Sequence, residues 1–134
     1  VGAGALLRAA ARNFSHVVCV VDHRDYPSIL ETLQSLEEVS ADRRRALASK
    51  AFHYAAYFDS TVAQYLHPAA ESLPEELVIG LKKTVDLKYG ENPHQQAAVY
   101  RLSGARPWGL AGASLLHGRP LYYEHYLSLD AAAE

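Results

Sequence analysis

The chain has 134 residues, of which 49% are hydrophobic and 21% charged, and its formal net charge is −2. This composition is that of an ordinary globular protein, and the length suffices for a domain with its own core. The small negative charge gives no case for binding nucleic acid or an anionic membrane surface, because either would need a concentration of basic residues.

Cysteine, membrane and metal signals are weak throughout the sequence. The single cysteine, Cys19, lies in an apolar run and cannot form an internal disulfide, which fits a reducing cytosol. No apolar run is long enough to span a bilayer, and the N-terminus lacks the pattern of a signal peptide. The seven histidines show neither the H-E-x-x-H spacing nor a Cys-His ligand cluster, so we expect no metal.

The first third of the sequence predicts two helices around a strand. The apolar spacing of residues 3–13 predicts an amphipathic helix, and the β-branched run at 17–21 predicts a strand covered on both faces. A second helix is predicted over 26–36, with Asp25 as its N-cap and Pro27 in its first turn. Helix, strand and helix in this order indicate an α/β layer arrangement.

A long helix is predicted from the N-cap residue Ser40 to about Leu66. Arginines 43–45 near its start are interpreted as a solvated helix face. Its larger apolar residues follow the helical period and should form one buried stripe, made of Leu47, Ala51, Tyr54, Phe58, Val62 and Tyr65. This stripe favours a core or a subunit interface over a cofactor site.

Residues 67–76 contain two prolines and predict a linker. Strands are predicted beyond it over 77–81, 97–102 and 114–116, and the turn before the last contains Trp108. Between the first two strands lies the polar run Leu-Lys-Tyr-Gly-Glu-Asn-Pro-His-Gln at 87–95. Gly90 permits a positive φ and Asn92 precedes a proline, so we predict an ordered loop there.

This loop presents side chains that suit an anionic, planar ligand. Lys88 supplies a cation, Tyr89 an aromatic face with a hydroxyl, and His94 a group that titrates near neutral pH. On residue types alone, a solvated interdomain turn is the simpler interpretation.

The nonapeptide resembles Leu-Arg-Tyr-Gly-Glu-Asn-Pro-His-Gln, a signature of the bifunctional AICAR formyltransferase/IMP cyclohydrolase family, at eight of nine positions. The resemblance implies that Lys88 and Tyr89 bind the AICAR nucleotide and that His94 lies near the site of formyl transfer. Lys88 stands where the family usually has arginine. It keeps the charge but lacks the planar fork that grips phosphate with two hydrogen bonds.

A second match covers residues 2–13, Gly-Ala-Gly-Ala-Leu-Leu-Arg-Ala-Ala-Ala-Arg-Asn, which is similar to the cyclohydrolase segment Gly-Gly-Pro-x-Leu/Met-x-Arg-Ala-Ala-Ala-Lys-Asn. The resemblance implies that Arg12 takes the position of an active-site lysine. It also places Val1 at the second member of an Asp-Ile pair that contacts the nucleotide. Arginine can stabilise negative charge, but its high pKa makes it a poor proton donor or acceptor.

Residues 116–125 resemble a third family segment, Leu-x-Gly-Lys-x-Leu-Ser-Tyr-Asn-Asn, and agree with it at Gly118, Leu121 and Tyr123. Glu124 and His125 replace the two asparagines. As neighbours on a strand they would point to opposite faces, so we do not interpret them as an acid–base pair.

The resemblance implies an α/β fold made of two domain parts. Residues 1–66 would be the end of a methylglyoxal-synthase-like cyclohydrolase domain and 67–76 a linker. Residues 77–134 would begin a formyltransferase domain with a cytidine-deaminase-like α/β fold. The chain starts at Val1 and stops within a helical pattern, so we expect a fragment of a longer protein.

The implied function is the last two steps of IMP synthesis, formyl transfer from formyl-tetrahydrofolate to AICAR and cyclisation of formyl-AICAR to IMP. A cytoplasmic homodimer is implied. The isolated chain is expected to be inactive, because the family's formyltransferase Lys-His pair and most of its cyclohydrolase contacts lie outside these residues. Two alternatives stay open: a non-catalytic purine-nucleotide-binding relative, and a dimerisation module built on the aromatic helix.

Overall fold

The computed structural model describes residues 3–67, 74–102 and 109–133. The chain divides into two compact units, residues 1–66 and residues 67–134. Val1, Trp108 and the central part of the predicted linker, 68–73, lie outside the described residues. The described part contains both helices and a two-stranded sheet, which confirms the α/β class. None of its helices is long and apolar enough to cross a membrane.

The first unit contains three helices, α1 (Ala3–Arg12), α2 (Tyr26–Gln34) and α3 (Ala41–Leu66). Helix α1 packs on α3, and the core between them consists of the small side chains Ala11, Cys19, Ala48 and Ala51. A second buried cluster joins Ile29, Val39 and Leu47. Small residues let two helices approach closely, so the alanines explain how α1 packs on α3, and an ion pair between Arg8 and Asp59 joins the same two helices further along α3.

Three predictions for the first unit are wrong in part. Residues 17–21 form no strand, because a strand requires hydrogen bonds to a neighbouring strand and the described part of this unit contains none. Asp25 makes no side-chain cap to α2. The predicted stripe is buried only at its start, since Leu47 and Ala51 are buried while Tyr54, Phe58 and Tyr65 are 56%, 58% and 87% exposed.

At the start of α3, the predicted cap is confirmed, whereas the predicted solvation of the arginine run is wrong at one position. Ser40 caps α3 as predicted, because its hydroxyl accepts a hydrogen bond from the Arg43 backbone N–H at 3.2 Å. Arg44 is half-buried rather than solvated. Its Nε donates to the Phe14 carbonyl at 3.0 Å, and its Nη1 donates to the Val39 carbonyl. The Arg44 guanidinium therefore connects α3 to two segments, the one between α1 and α2 and the one between α2 and α3.

The second unit contains an antiparallel pair, β1 (Leu81–Leu87) and β2 (Ala97–Leu102), followed by α4 (Tyr123–Ala133). The bounds of β2 are as predicted. The first strand was misplaced, because 77–80 lie outside it, and 114–116 form no strand. Thr84 is the extra residue at a bulge between Lys83 and Val85, and its hydroxyl donates to the Val99 carbonyl at 3.0 Å.

The sheet positions the loop that the sequence singles out. Leu87 pairs with Ala97, so residues 88–96 form the connection of a β-hairpin. Helix α4 begins with its N-cap at Tyr122, whose carbonyl accepts hydrogen bonds from the N–H groups of His125 and Tyr126. The turn before α4 and the loop after β1 are therefore the two segments from which a site in this unit is built.

Candidate functional site

Three hydrogen bonds close the loop after β1. The Gly90 N–H donates to the Gln95 carbonyl, the Gln95 N–H donates to the Asn92 carbonyl, and the Asn92 N–H donates to Gln95 Oε1, each at 3.0 Å. Gln95 thus takes part in every one of them. The loop is ordered, as the sequence predicts, and its conformation is set by the main chain and by one amide side chain.

Gly90 is required for space rather than for an unusual backbone angle. Its φ lies outside the left-handed region, although the sequence analysis pointed to that region as the use for a glycine here. The residue is buried, and a Cβ on it would lie 3.0 Å from both Cβ and Oε1 of Gln95. Ordinary carbon contacts are about 3.5–4.0 Å, so the loop closes tightly only because no side chain is present.

The loop places the Lys88 cation beside two aromatic rings. The rings of Tyr89 and Tyr122 are stacked, with centroids 5.3 Å apart and planes inclined by 18°. Lys88 Nζ lies 6.0 Å from the Tyr89 centroid and 5.9 Å from the Tyr122 centroid. These distances are at the outer limit of a cation–π contact. A cation and flat aromatic surface in one place suit an anionic ligand with a planar group.

The ring of His125 is the third ring of the stack, and His125 belongs to α4. Its ring lies 5.4 Å from the Tyr122 ring at an angle of 20°. The Tyr122 backbone N–H donates to His125 Nδ1 at 3.0 Å, so the third residue of the helix satisfies the N–H of the N-cap. Because Nδ1 accepts this hydrogen bond, a neutral ring in this position carries its proton on Nε2.

The structure brings only some of the predicted site residues together. Lys88 and Tyr89 lie in one cluster, while His94 is exposed elsewhere in the same loop. Arg12 is exposed at the last residue of α1 in the other unit. Val1 is outside the described residues.

Sequence reasoning missed Tyr122 and His125. His125 was interpreted, with Glu124, as a strand residue and Tyr122 was given no role, but Tyr122 is the N-cap of α4 and His125 its third residue. Their three-residue spacing is that of a capping box, but the motif requires Ser or Thr at the first position and Glu or Gln at the second, so the sequence did not indicate them. Glu124 lies between them in the first turn, where its charge is favourable to the helix dipole.

A separate group of charges lies in the first unit. Lys50 Nζ is 2.9 Å from Asp22 Oδ2 and 2.7 Å from Asp25 Oδ2, and Arg24 Nη2 is 2.6 Å from Asp22 Oδ2. The carboxylate of Asp25, predicted to cap α2, is thus directed to Lys50 and also lies 3.6 Å from Arg43. Hydrogen bonds from Arg24, and then from Lys50, hold the pKa of Asp22 far below its usual range.

The same contacts act on the lysine in the opposite direction. The pKa of Lys50 is raised by its hydrogen bond to Asp25 and by its hydrogen bond to Asp22. Asp22 and Lys50 are therefore ionised at neutral pH. Their arrangement is a charge network that joins α3 to the turn before α2. Among the described residues, no three His, Cys, Asp or Glu side chains are grouped so that they could hold a metal ion.

Comparison with known proteins supplies the context for both groups. Residues 10–134 match the family described as AICARFT/IMPCHase bienzyme. The chain is 44% identical over 134 residues to the bifunctional purine biosynthesis protein PurH of Myxococcus xanthus, an overlap that covers 98% of this chain and 26% of the relative. The PurH protein of Anoxybacillus flavithermus is 41% identical over 135 residues, covering 100% of this chain and 26% of its own length.

A third relative is the PurH protein of Persephonella marina, 39% identical over 137 residues, which cover 98% of this chain and 26% of that protein. The chain therefore spans about a quarter of the length of the curated relatives it matches.

Proposed function

Because the chain belongs to the AICARFT/IMPCHase bienzyme family, we propose that it is part of an enzyme for the last two steps of IMP synthesis. In the first, the amine of AICAR takes a formyl group from formyl-tetrahydrofolate; in the second, formyl-AICAR closes to IMP with loss of water. The observation that carries the assignment for the second unit is the Lys88 ammonium beside the stacked rings of Tyr89 and Tyr122.

Lys88 and Tyr89 would bind and align the AICAR nucleotide. The ammonium at position 88 is exposed and can reach a phosphate oxygen as a point charge, and the half-buried tyrosine ring offers a fixed apolar face to a planar base. Alignment matters here because the amine of AICAR is a poor nucleophile, and holding it against the formyl donor replaces a bimolecular encounter. This assigns substrate binding, rather than proton transfer, to the cluster.

His94 and Arg12 would act on charge and protons. As the amine attacks the formyl carbon, a C–N bond forms, the C–N bond to the folate breaks, and the amine proton passes to the released folate nitrogen. His94 is exposed in the same loop as Lys88, where it could relay that proton. Ring closure is intramolecular, and Arg12 would stabilise the negative charge that develops during it.

We also propose a domain organisation for the chain. Residues 1–66 would be the end of a methylglyoxal-synthase-like cyclohydrolase domain, 67–76 a linker, and 77–134 the start of a cytidine-deaminase-like formyltransferase domain. The short coverage of the relatives supports a further point: the 134 residues alone would not form IMP. We propose that the enzyme uses no metal and that it is a cytoplasmic homodimer.

A second candidate function rests on α3. The aromatic side chains of Tyr54, Phe58 and Tyr65 are more than half exposed and lie on the second half of the helix. Such a surface favours association with other protein, which keeps the dimerisation module open. A non-catalytic nucleotide-binding relative is the intermediate possibility.

One experiment separates the three functions. The complete reading frame that contains this chain is determined by sequencing the DNA on both sides, and its product is titrated with AICAR by calorimetry. Lys88→Ala should weaken AICAR binding by tenfold or more, since a hydrogen bond to a charged group contributes about 1.5–3 kcal/mol. The matched control is Lys82→Ala, which removes an exposed lysine on β1 and should leave the affinity unchanged.

The outcomes differ for each function. Binding together with IMP formation supports the enzyme, and binding without turnover supports the non-catalytic relative. No binding, with self-association in the analytical ultracentrifuge, supports the dimerisation module. Equal affinity in the wild type and in Lys88→Ala would refute the assignment of this cluster to the nucleotide.

A further inference from the structure

Tyr122 joins the two segments that build the cluster in the second unit. Its ring lies between those of Tyr89, at 5.3 Å, and His125, at 5.4 Å. Both separations fall in the range of offset stacking, about 4.5–7 Å. Tyr89 belongs to the loop after β1, whereas His125 belongs to α4. The middle ring of the stack is therefore the one that links the loop to the helix.

We propose that Tyr122 is a positioning residue for nucleotide binding, acting through Tyr89 and Lys88. The inference rests on the proposed function and deepens it, because it names the residue that sets the geometry of the substrate-binding pair. Tyr122 is assigned no contact with the nucleotide. Its function is to restrict the Tyr89 ring and the Lys88 side chain before the ligand arrives.

Hydrogen bonds of the Tyr122 backbone restrict the position of its ring. Its carbonyl accepts two helical hydrogen bonds, from the N–H groups of His125 and Tyr126, and its own N–H donates to His125 Nδ1. Main-chain groups held on both sides fix the Cα–Cβ direction, and the half-buried ring is restricted further by the stack. Tyr89 thus packs against a ring that cannot easily turn away.

The restricted Tyr122 ring has its largest effect on the order of the Lys88 side chain. A lysine side chain has four rotatable bonds and no plane of its own, so ordering it on binding costs entropy. With Nζ about equally far from the Tyr89 and Tyr122 centroids, the ammonium is attracted to both rings before any anion is present. Preorganisation of this kind raises affinity by reducing the cost of binding rather than by adding a contact.

The test uses the product of the complete reading frame and three substitutions. Tyr122→Ser removes the ring, and Tyr122→Phe keeps the ring but removes the hydroxyl. Tyr100→Ser is the matched control, because Tyr100 is an exposed tyrosine on β2 of the same unit and stacks on no ring of the residues that the structure describes. AICAR affinity is measured by calorimetry, and KM and kcat are measured for formyl transfer.

Tyr122→Ser should weaken AICAR binding about two- to tenfold, the factor that corresponds to the loss of one aromatic pair. KM for AICAR should rise by the same factor, while kcat stays within about twofold because the chemical step is untouched. Tyr122→Phe should match the wild type, and so should Tyr100→Ser. A general loss of structure would instead lower kcat together with the affinity, so the unchanged kcat separates positioning from misfolding.

Each other outcome overturns a specific statement. Unchanged affinity in Tyr122→Ser, together with weakened binding in Lys88→Ala, refutes the positioning role and leaves the proposed function in place. Equal weakening in the serine and phenylalanine variants would assign the effect to the hydroxyl and refute stacking. If Lys88→Ala also binds normally, the proposed function fails first. Should Tyr122→Ser not fold, Tyr122→Leu removes the planar ring, keeps apolar bulk, and is read in the same way.

Discussion

Replacing Gly90 by alanine should open the loop that carries Lys88 and Tyr89. The added Cβ would lie 3.0 Å from Cβ and Oε1 of Gln95, and Gln95 makes all three hydrogen bonds that close the loop. Moving its side chain breaks the bond from the Asn92 N–H, which costs about 0.5–1.5 kcal/mol. Overpacking adds about 1–3 kcal/mol, and the stiffer unfolded chain returns about 0.4–1 kcal/mol. We expect a net cost of about 2 kcal/mol.

Amide hydrogen exchange measures this cost where it arises. A loss of about 2 kcal/mol in the closed loop should speed exchange at the Asn92 and Gln95 amides by about 30-fold. The internal control is the amide of Val99, which lies in β2 and is paired with Val85. Its exchange should change by less than about threefold, because the sheet does not depend on the loop for its hydrogen bonds.

A double variant tests whether the contact with Gln95 is the cause. Gln95→Gly removes both atoms that the new Cβ would meet, at the expense of the same loop hydrogen bond. Gly90→Ala should therefore cost little when Gln95→Gly is already present, giving a coupling of about 1 kcal/mol or more between the two changes. Additive effects, or a loop that exchanges as slowly in Gly90→Ala as in the wild type, would refute the steric explanation.

Two further predictions concern the first unit. Arg44→Ala should lower the free energy of unfolding by about 2 kcal/mol in urea titrations, because it removes charged hydrogen bonds to the Phe14 and Val39 carbonyls. The neighbouring Arg45→Ala removes a guanidinium that lies 6.0 Å from the Phe14 ring centroid and should cost no more than about 1 kcal/mol, so equal losses would contradict the assignment. Because the folded state lowers the pKa of Asp22, its stabilisation is complete above the ordinary value of about 3.9 and is lost as the pH falls through the lowered pKa. Asp22→Asn should therefore be less stable than wild type at pH 7, with a difference that shrinks below about pH 4; a difference independent of pH would count against the charge network.

Structural features that depend on residues within one helical turn were predicted well from the sequence. Helix α1 covers Ala3–Arg12 against a predicted 3–13, and α3 begins after the Ser40 cap as expected. A cap and a helical period depend only on residues three or four positions apart, so the sequence contains all the necessary information. The bounds of β2 were predicted for a similar reason, since turn-forming residues flank its apolar run.

Features that need a partner were predicted poorly. The run at 17–21 has the composition of a strand, but its hydrogen bonds depend on a neighbour that the described part of the first unit does not provide. The stripe on α3 failed for a related reason. Its period identifies which residues share a face, but packing decides which of them are covered: Ala55 is buried, whereas Tyr54 and Phe58 on either side of it along α3 are more than half exposed.

Part of the candidate site could be predicted from the sequence, and part could not. Lys88 and Tyr89 could be found from a short motif, because they are adjacent in one loop. Tyr122 lies 33 positions after Tyr89, and its contact depends on where α4 begins. The cap at that start is a hydrogen bond from the Tyr122 N–H to His125, and neither residue is of a type that marks a helix start in a sequence.

Three of the departures from the family segments lie together in the second unit. Lys88 stands where the family segment has arginine, Tyr122 where it has serine, and His125 where it has asparagine, yet the three side chains form one cluster. A lysine lacks the planar fork of arginine, so its direction must be set by its surroundings. The rings of Tyr89 and Tyr122 provide such surroundings, and the hydrogen bond to His125 holds one of them in place. If the positioning role is correct, Lys88→Arg should make binding less sensitive to Tyr122→Ser, because a guanidinium can fix its own orientation on a phosphate with two hydrogen bonds.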